Sequence, residues 1–298
     1  GHAIADATDA ALLGALAIAG REDAERWGAE RARVTFVAMG RYGGRECSYA
    51  SDADVIALHE AVGGASDSEA AASATAIVNR VKKLLGSATS QLGIVVDLDL
   101  RPEGKNGPMS RTIASHEEYA QRWASTWERQ AAVRARPIGD GGLAQAARSL
   151  FESMAYRDVS EAEVRDIRLL KARMENERLP RGTEPARHVK LGPGGLSDVE
   201  WTIQLIQMRH GREVEALRTS STTDAIAAAR DAGLLEAPDA EILLNAWDLA
   251  TRIRAGNTLA TGRMSGVKLD VVPRDSAELG ALAAILGYGS GGLTALEE

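Results

Sequence analysis

The sequence predicts an α+β protein in which a small mixed sheet with helices is followed by an all-α helical bundle. Dense runs of β-branched and apolar residues occur only in the first half, at 33–39, 53–59 and 93–100. Strand patterns nearly vanish after about residue 115, where helical spacing takes over. Aromatic residues make up only 4% of the chain, so Ala, Leu, Val and Ile must build the core, which favours helices.

In the first half, predicted helices alternate with these strands. An Ala- and Leu-rich helix is predicted over 3–19, before the first strand, and another over 68–91, between the second and third strands. A glycine-rich turn at 40–44 follows the first strand, and Pro102 ends the third.

The second half is predicted as a series of helices. Ser-x-x-Glu spacings begin at Ser115, Ser160 and Ser197, and this spacing is typical of a capping box at a helix N-terminus. The predicted helices cover 115–136, 161–178, 197–210, 222–232, 239–262 and 276–286.

The length of 298 residues allows two domains. The Gly-Asp-Gly-Gly segment at 139–142 predicts their boundary, with a head over residues 1–145 and a helical bundle over residues 146–298. The chain starts without an initiator Met or a basic leader, and its end at 296–298 has a helix-like pattern with no cap. We therefore expect a piece of a longer protein.

Charge and cysteine content exclude several classes of protein. The chain has 42 acidic and 35 basic residues, a formal charge of −7, whereas a general nucleic-acid binder needs surplus cations. Cys47 is the one cysteine, which excludes an intramolecular disulfide and a cysteine-based zinc cluster and fits a reducing compartment. We expect no apolar run of membrane-spanning length. The expectation is a cytoplasmic protein with no nucleic-acid or membrane partner.

The segment 34–58 carries the pattern that indicates chemistry. The first strand leads into Gly43 and Gly44, where the missing Cβ atoms let backbone N–H groups approach a bulky anion. Asp52 and Asp54 follow, and residues two apart on a strand point to the same face. Two carboxylates on one face suit Mg²⁺ carried on a nucleoside triphosphate, because Mg²⁺ prefers oxygen ligands and keeps positions for phosphate and water.

The third strand adds Asp97 and Asp99, which share a face for the same reason. An unpartnered buried carboxylate is strongly disfavoured, and a cation shared by Asp52, Asp54 and Asp97 would remove that cost. Arg101 follows this strand directly and can pair either with Asp97 or with a phosphate.

Two pairs of side chains on the predicted helix 115–136 are each compatible with two roles. Trp123 and Trp127 are four residues apart, and we predict that they are core residues rather than a platform for adenine. Arg134 and Arg136 lie near the end of this helix, where they are either phosphate clamps or residues favoured by the helix dipole.

The residues around the carboxylates resemble a known family, the glutamine-synthetase adenylyltransferases of the nucleotidyltransferase superfamily. The resemblance is carried by 40–46, 48–54, Asp97, 100–102, 104–108, 127–131, 134–136 and 194–201. Motif matches extend over about residues 34–260. The resemblance implies a nucleotidyltransferase-type small mixed sheet in the head.

The resemblance also implies an activity. Family members are long chains with two copies of a head-plus-bundle unit: one removes AMP from a tyrosine of glutamine synthetase by phosphorolysis, and the other attaches AMP from ATP. The segments 173–182 and 190–195 are more similar to the attaching, C-terminal copy. This implies adenylylation with release of pyrophosphate, with removal of AMP as the alternative. A third reading is a catalytically silent module that binds a regulator.

Individual roles follow from the same resemblance. It implies that the catalytic residues, which also hold Mg²⁺, are Asp52, Asp54 and Asp97. It implies that the residues binding ATP are Gly43, Gly44, Ser51 and Arg101. Many members have Arg at the position of Asp99, and between the two candidates we prefer Asp97 as the third carboxylate. Glutamine synthetase is the implied protein substrate, and the PII signal protein and glutamine are implied effectors.

Overall fold

The computed structural model describes residues 1–49, 51–86, 93–263 and 266–288, which fall into two compact units. The first unit comprises Gly1–Cys47, Ser51–Arg157 and Arg218–Ser221. The second comprises Ser48, Tyr49, Asp158–Leu217 and the described residues from Thr222 onward. The division after Arg157 lies beyond the expected boundary at 145, because a helix that the sequence analysis did not identify packs onto the sheet of the first unit.

The described residues of the first unit form a mixed sheet of five short strands. They are β1 (Ala32–Ala38), β2 (Ala53–Ala61), β3 (Val96–Asp97), β4 (Ser110–Arg111) and β5 (Arg136–Pro137). The order is β3-β2-β1-β5, and β4 also pairs with β2. β1 pairs antiparallel with β2 and β5, whereas β3 and β4 run parallel to β2. This arrangement confirms the predicted α+β class with a small mixed sheet.

Helices surround this sheet. They are α1 (His2–Trp27), α2 (Gly40–Gly43), α3 (Asp67–Leu85), α4 (Ile113–Arg122), α5 (Thr126–Ala132) and α6 (Gly142–Ala155). A capping box between Ser66 and Glu69 starts α3. Leu12 of α1 and Ile77 of α3 belong, with Phe36 of β1, to one apolar core. The long helices therefore bury their apolar sides together with the sheet.

By length and composition alone, α1 is apolar enough to cross a membrane, which contradicts the expectation that no run approaches that length. In the structure its residues Leu12, Ala15 and Ala19 are buried in the core of the first unit. Asp9 of the same helix forms an ion pair with Arg136 at 2.7 Å. These contacts give α1 a packing role in a folded unit.

The predicted helix 115–136 is interrupted and forms α4 and α5. The Thr112 side chain caps α4 by accepting the N–H of Ser115, so the capping box expected at Ser115 is wrong. A capping box between Ser125 and Glu128 begins α5, so this second helix has its own N-cap residue, Ser125.

This interruption changes the environment of the two tryptophans. Trp123 is 72% exposed and Trp127 is 42% exposed, so the prediction that they are core residues is wrong. Trp123 follows the last residue of α4 and Trp127 is in the first turn of α5. They no longer share the face of one helix, which was the basis of that prediction.

In its described residues the second unit is helical, with one isolated β-bridge between His188 and Val271. Its α-helices are α7 (Glu161–Arg178), α8 (Leu196–His210), α9 (Thr222–Asp231), α10 (Ala237–Thr261) and α11 (Ser276–Ile285). All five are predicted by the sequence, and the capping box at Ser160 is confirmed. The one expected at Ser197 is wrong, because Gly195 is the N-cap and Ser197 lies buried inside α8.

Candidate functional site

Asp54 and Asp97 lie next to each other in the sheet. They are register partners in the parallel pair β2 and β3, and both are half-buried. Partners in adjacent strands are about 4.8 Å apart, and their side chains point to the same face. An Asp97 carboxylate oxygen accepts the backbone N–H of Asp99 at 2.7 Å. Strand pairing therefore brings two of the three predicted carboxylates together.

Asp52 is placed differently from these two residues. It is exposed and precedes Ala53, the first residue of β2, so the strand periodicity that was expected to align it with Asp54 does not extend to it. Across the ranges that the structure describes, no group of three or more His, Cys, Asp or Glu side chains is placed to hold a metal ion. The site therefore consists of a carboxylate pair with a third, exposed carboxylate nearby in sequence.

Asp97 and Asp99 lie in different environments. Asp99 is exposed, and its carboxylate lies 3.2 Å from the Lys105 ammonium and 3.9 Å from the Arg101 guanidinium. Asp97, in contrast, is the residue paired in register with Asp54. This difference favours Asp97 as the partner of Asp54.

Gly40 borders the carboxylate pair, a role that the sequence analysis did not assign to it. Its φ of +54° lies in the left-handed region that favours glycine. A Cβ atom at this position would lie 3.3 Å from the Asp54 Oδ2 atom. The absence of a side chain at Gly40 therefore gives the Asp54 carboxylate its space.

Gly43 and Gly44 serve close packing. Their N–H groups donate within the turn, to the carbonyls of Met39 and Gly40 at 2.8 Å and 3.2 Å. A Cβ atom on Gly43 would lie 1.9 Å from the Arg134 carbonyl oxygen, and one on Gly44 would lie 2.4 Å from its Nη2 atom. This arrangement contradicts the expectation that these two N–H groups are open to phosphate, since both are already used.

Arg101 organises its own loop. Its side chain is 9% exposed, and its guanidinium donates to the carbonyls of Leu98, Lys105 and Gly107 at 2.9, 3.0 and 3.1 Å. Its donors hold the loop that follows β3, which differs from the expected contact with Asp97 or a phosphate. Ser51 is half-buried beside Asp52, and its role in ATP binding stays a prediction.

Arg134 and Arg136 hold the short helix α2, which follows β1. Arg134 forms a buried ion pair with Glu46, and its Nε donates to the Gly40 carbonyl at 3.1 Å. Arg136 donates to the Gly43 carbonyl at 3.1 Å and pairs with Asp9. Neither expected role, phosphate clamp or helix-dipole partner, describes these contacts.

A buried tyrosine completes the support of this helix. The Tyr42 hydroxyl donates to Asp9 Oδ1 at 2.5 Å, and Asp9 in turn pairs with Arg136. Burial, and secondarily the hydrogen bond to Asp9, raises the pKa of Tyr42 far above its ordinary value. The phenol therefore stays protonated and keeps its role as a donor.

Comparisons with known proteins match both units. The family model for glutamate-ammonia ligase adenylyltransferase matches residues 2–150. The family model for GlnD PII-uridylyltransferase matches residues 168–298.

Several relatives carry the name bifunctional glutamine synthetase adenylyltransferase/adenylyl-removing enzyme. The protein from Streptomyces coelicolor is 45% identical and that from Streptomyces avermitilis 47% identical, each over 98% of this chain and 29% of the relative. The protein from Bifidobacterium longum is 45% identical over 97% of this chain and 27% of the relative. The chain thus spans less than a third of the length of these relatives.

Proposed function

We propose that this chain, which belongs to the glutamate-ammonia ligase adenylyltransferase family, transfers AMP from ATP to a tyrosine hydroxyl of glutamine synthetase. Glutamate-ammonia ligase is the systematic name of glutamine synthetase. The observation that carries the proposal is the register pairing of Asp54 with Asp97 beside Gly40. The names of the relatives combine this transfer with adenylyl removal.

The donor set fits magnesium. Mg²⁺ is commonly bound through one or two carboxylates, with phosphate oxygens and water in its other positions, so a cage of three carboxylates is not required. Asp54 and Asp97 would hold the ion, with the exposed Asp52 close to Asp54 in sequence. When bound, Mg²⁺ neutralises the negative charge on the phosphate oxygens of ATP.

Asp97 would accept the proton that the target tyrosine loses. A phenol has an ordinary pKa of about 10, so its oxygen attacks efficiently only when a positioned base takes the proton. The new bond forms between the phenol oxygen and the α-phosphorus, while the bond to the leaving pyrophosphate breaks. The Arg134 and Arg136 contacts would keep the turn that carries Gly40 in place during this step.

Labelling of glutamine synthetase tests the proposal. The chain is incubated with Mg²⁺, ATP labelled at the α-phosphate and glutamine synthetase, and transfer of label is measured for wild type, Asp54→Asn and Asp97→Asn. We expect each substitution to lower the rate by about 10²-fold or more, the range found when one charge-stabilising group is removed. Asp140→Asn is the matched control, because Asp140 is an exposed carboxylate of the same unit.

The same preparation separates the alternatives. Release of ADP from adenylylated glutamine synthetase on addition of phosphate, without labelling by ATP, would replace the proposal with phosphorolytic removal. Absence of both reactions would favour the silent, regulator-binding module. Binding of the PII signal protein and of glutamine, and a cytoplasmic location, stay predictions.

A further inference from the structure

Asp97 ends a strand of only two residues. β3 consists of Val96 and Asp97, and the backbone N–H of Ala53 in β2 donates to the carbonyl of Val95, just before it, at 2.8 Å. Strand pairing therefore places the backbone of Asp97, whereas the direction of its carboxylate depends on the residues that follow. That carboxylate contacts the following loop directly, since its Oδ1 atom accepts the backbone N–H of Asp99 at 2.7 Å.

The peptide group that donates this hydrogen bond is held from its other side by Arg101. The N–H of Asp99 and the carbonyl of Leu98 belong to the same peptide group. The Leu98 carbonyl accepts two donors of Arg101, its backbone N–H at 3.0 Å and its Nη1 atom at 2.9 Å. A peptide group is planar, and in the trans form its carbonyl and its N–H point in opposite directions. Fixing the Leu98 carbonyl therefore directs the N–H towards Asp97.

We propose that Arg101 is a positioning residue for Asp97. Its guanidinium orients the peptide between Leu98 and Asp99, and the N–H of that peptide occupies the Oδ1 atom of Asp97. The other carboxylate oxygen, Oδ2, is thereby presented to Mg²⁺ and to the proton of the target tyrosine. The task given to Oδ2 rests on the proposed function, whereas the orientation of the peptide by Arg101 does not.

The planar donor set of Arg101 suits this task. Besides the Leu98 carbonyl at the start of the loop, the guanidinium binds the carbonyls of Lys105 and Gly107 at its end, through Nη2 and Nε. Donors fixed in one plane therefore tie the two ends of the loop together. A lysine carries the same charge but presents its donors from a single nitrogen atom, so it cannot hold these three carbonyls in the same way.

Arg129 offers a matched control, because it is a second buried arginine of the first unit. Its Nε and Nη2 atoms donate to the carbonyls of Met154 and Arg157 at 3.0 Å and 3.2 Å. Arg101→Lys and Arg129→Lys thus each replace a buried guanidinium that binds backbone carbonyls, and urea unfolding should show comparable losses of stability. Only Arg101→Lys changes the contacts of the peptide group beside Asp97.

Hydrogen exchange of the Asp99 amide, followed by NMR on the 298-residue chain without Mg²⁺ or ATP, tests the orientation of the peptide. We expect exchange about tenfold faster in Arg101→Lys than in wild type, which is the effect of losing one hydrogen bond. In Arg129→Lys the amide should exchange as in wild type. Equal exchange rates of the Asp99 amide in all three proteins would overturn the inference.

The labelling assay tests the consequence for AMP transfer. We expect Arg101→Lys to lower kcat about tenfold, because a displaced catalytic group reacts more slowly, and Arg129→Lys to stay close to wild type. Arg101→Lys should also raise the Mg²⁺ concentration that gives half the maximal rate, which a mere loss of folded protein would leave unchanged.

A double variant shows whether Arg101 acts through Asp97. In the Asp97→Asn background, Arg101→Lys should have little further effect on kcat, because residues that act as a unit are not additive. A further loss of about tenfold in that background, the same as in wild type, would overturn the inference. Full activity of Asp97→Asn would instead refute the role of Asp97 in the proposed function, and with it the task given to Oδ2.

Discussion

Replacing Gly40 with alanine should both strain the backbone and disturb the Asp54 carboxylate. A matched control at another glycine separates the two effects. Gly40 has a φ of +54°, and an L-residue in the left-handed region costs about 1–2 kcal/mol. The added Cβ would also lie 3.3 Å from Asp54 Oδ2, so the carboxylate must move by a few tenths of an ångström. A displacement of about 1 Å in a catalytic group costs about 10²-fold, so we expect Gly40→Ala to lower AMP transfer about tenfold.

Gly64→Ala is the matched control for this substitution. Gly64 has a φ of +78°, but its added Cβ would have no neighbour within 4 Å. Urea unfolding should therefore show a similar loss of about 1–2 kcal/mol for both variants. Only Gly40→Ala should lose activity in the labelling assay. Equal activity of the two variants would refute the role assigned to Gly40.

Three further predictions concern stability. Arg134→Met removes the cation from the buried pair with Glu46, and urea unfolding should show a loss of about 3–5 kcal/mol; a loss below 1 kcal/mol would contradict the burial of this pair. Burial, and secondarily Arg111, lowers the pKa of His116 to about 4, so the folded state resists protonation of this residue. The free energy of unfolding should therefore decrease as the pH drops from about 6.5 towards 4. His116→Phe should flatten that pH dependence in thermal unfolding, and an unchanged profile would contradict it. Trp123→Ser should change stability by less than about 0.5 kcal/mol because Trp123 is 72% exposed, whereas Trp247→Ser, in the core of the second unit, should cost about 3–5 kcal/mol.

Local signals predicted most of the fold. Strands β1 and β2 and helices α7 to α11 lie close to their predicted positions, because β1 and β2 are continuous apolar runs buried on both faces and the helices carry apolar residues at helical spacing. The predicted third strand shrinks to Val96–Asp97, because the Asp97 side chain accepts the N–H of Asp99 and starts a turn. Such side-chain competition with the backbone is not visible in a hydropathy pattern.

Only part of the candidate site could be predicted from the sequence, because local patterns do not show contacts between residues that are distant along the chain. Residue type pointed to Asp54 and Asp97, but the strand period relates residues within one strand, and the register of β2 with β3 that brings these two together is not visible in it. The roles of Gly43, Gly44 and Arg101 depend on contacts with distant residues and with loop carbonyls. The exposure of Trp123 depends on where the helix is interrupted, and the Ser125 capping signal was the clue available in the sequence.

The most direct test of the central claim is the effect of Mg²⁺ on ATP binding. ATP affinity is measured by calorimetry with and without Mg²⁺ for wild type, Asp54→Asn and the control Asp140→Asn. We predict that Mg²⁺ tightens ATP binding to wild type and Asp140→Asn, and that this gain is lost in Asp54→Asn. An equal gain from Mg²⁺ in all three proteins would contradict the claim that the carboxylate pair on β2 and β3 holds the ion.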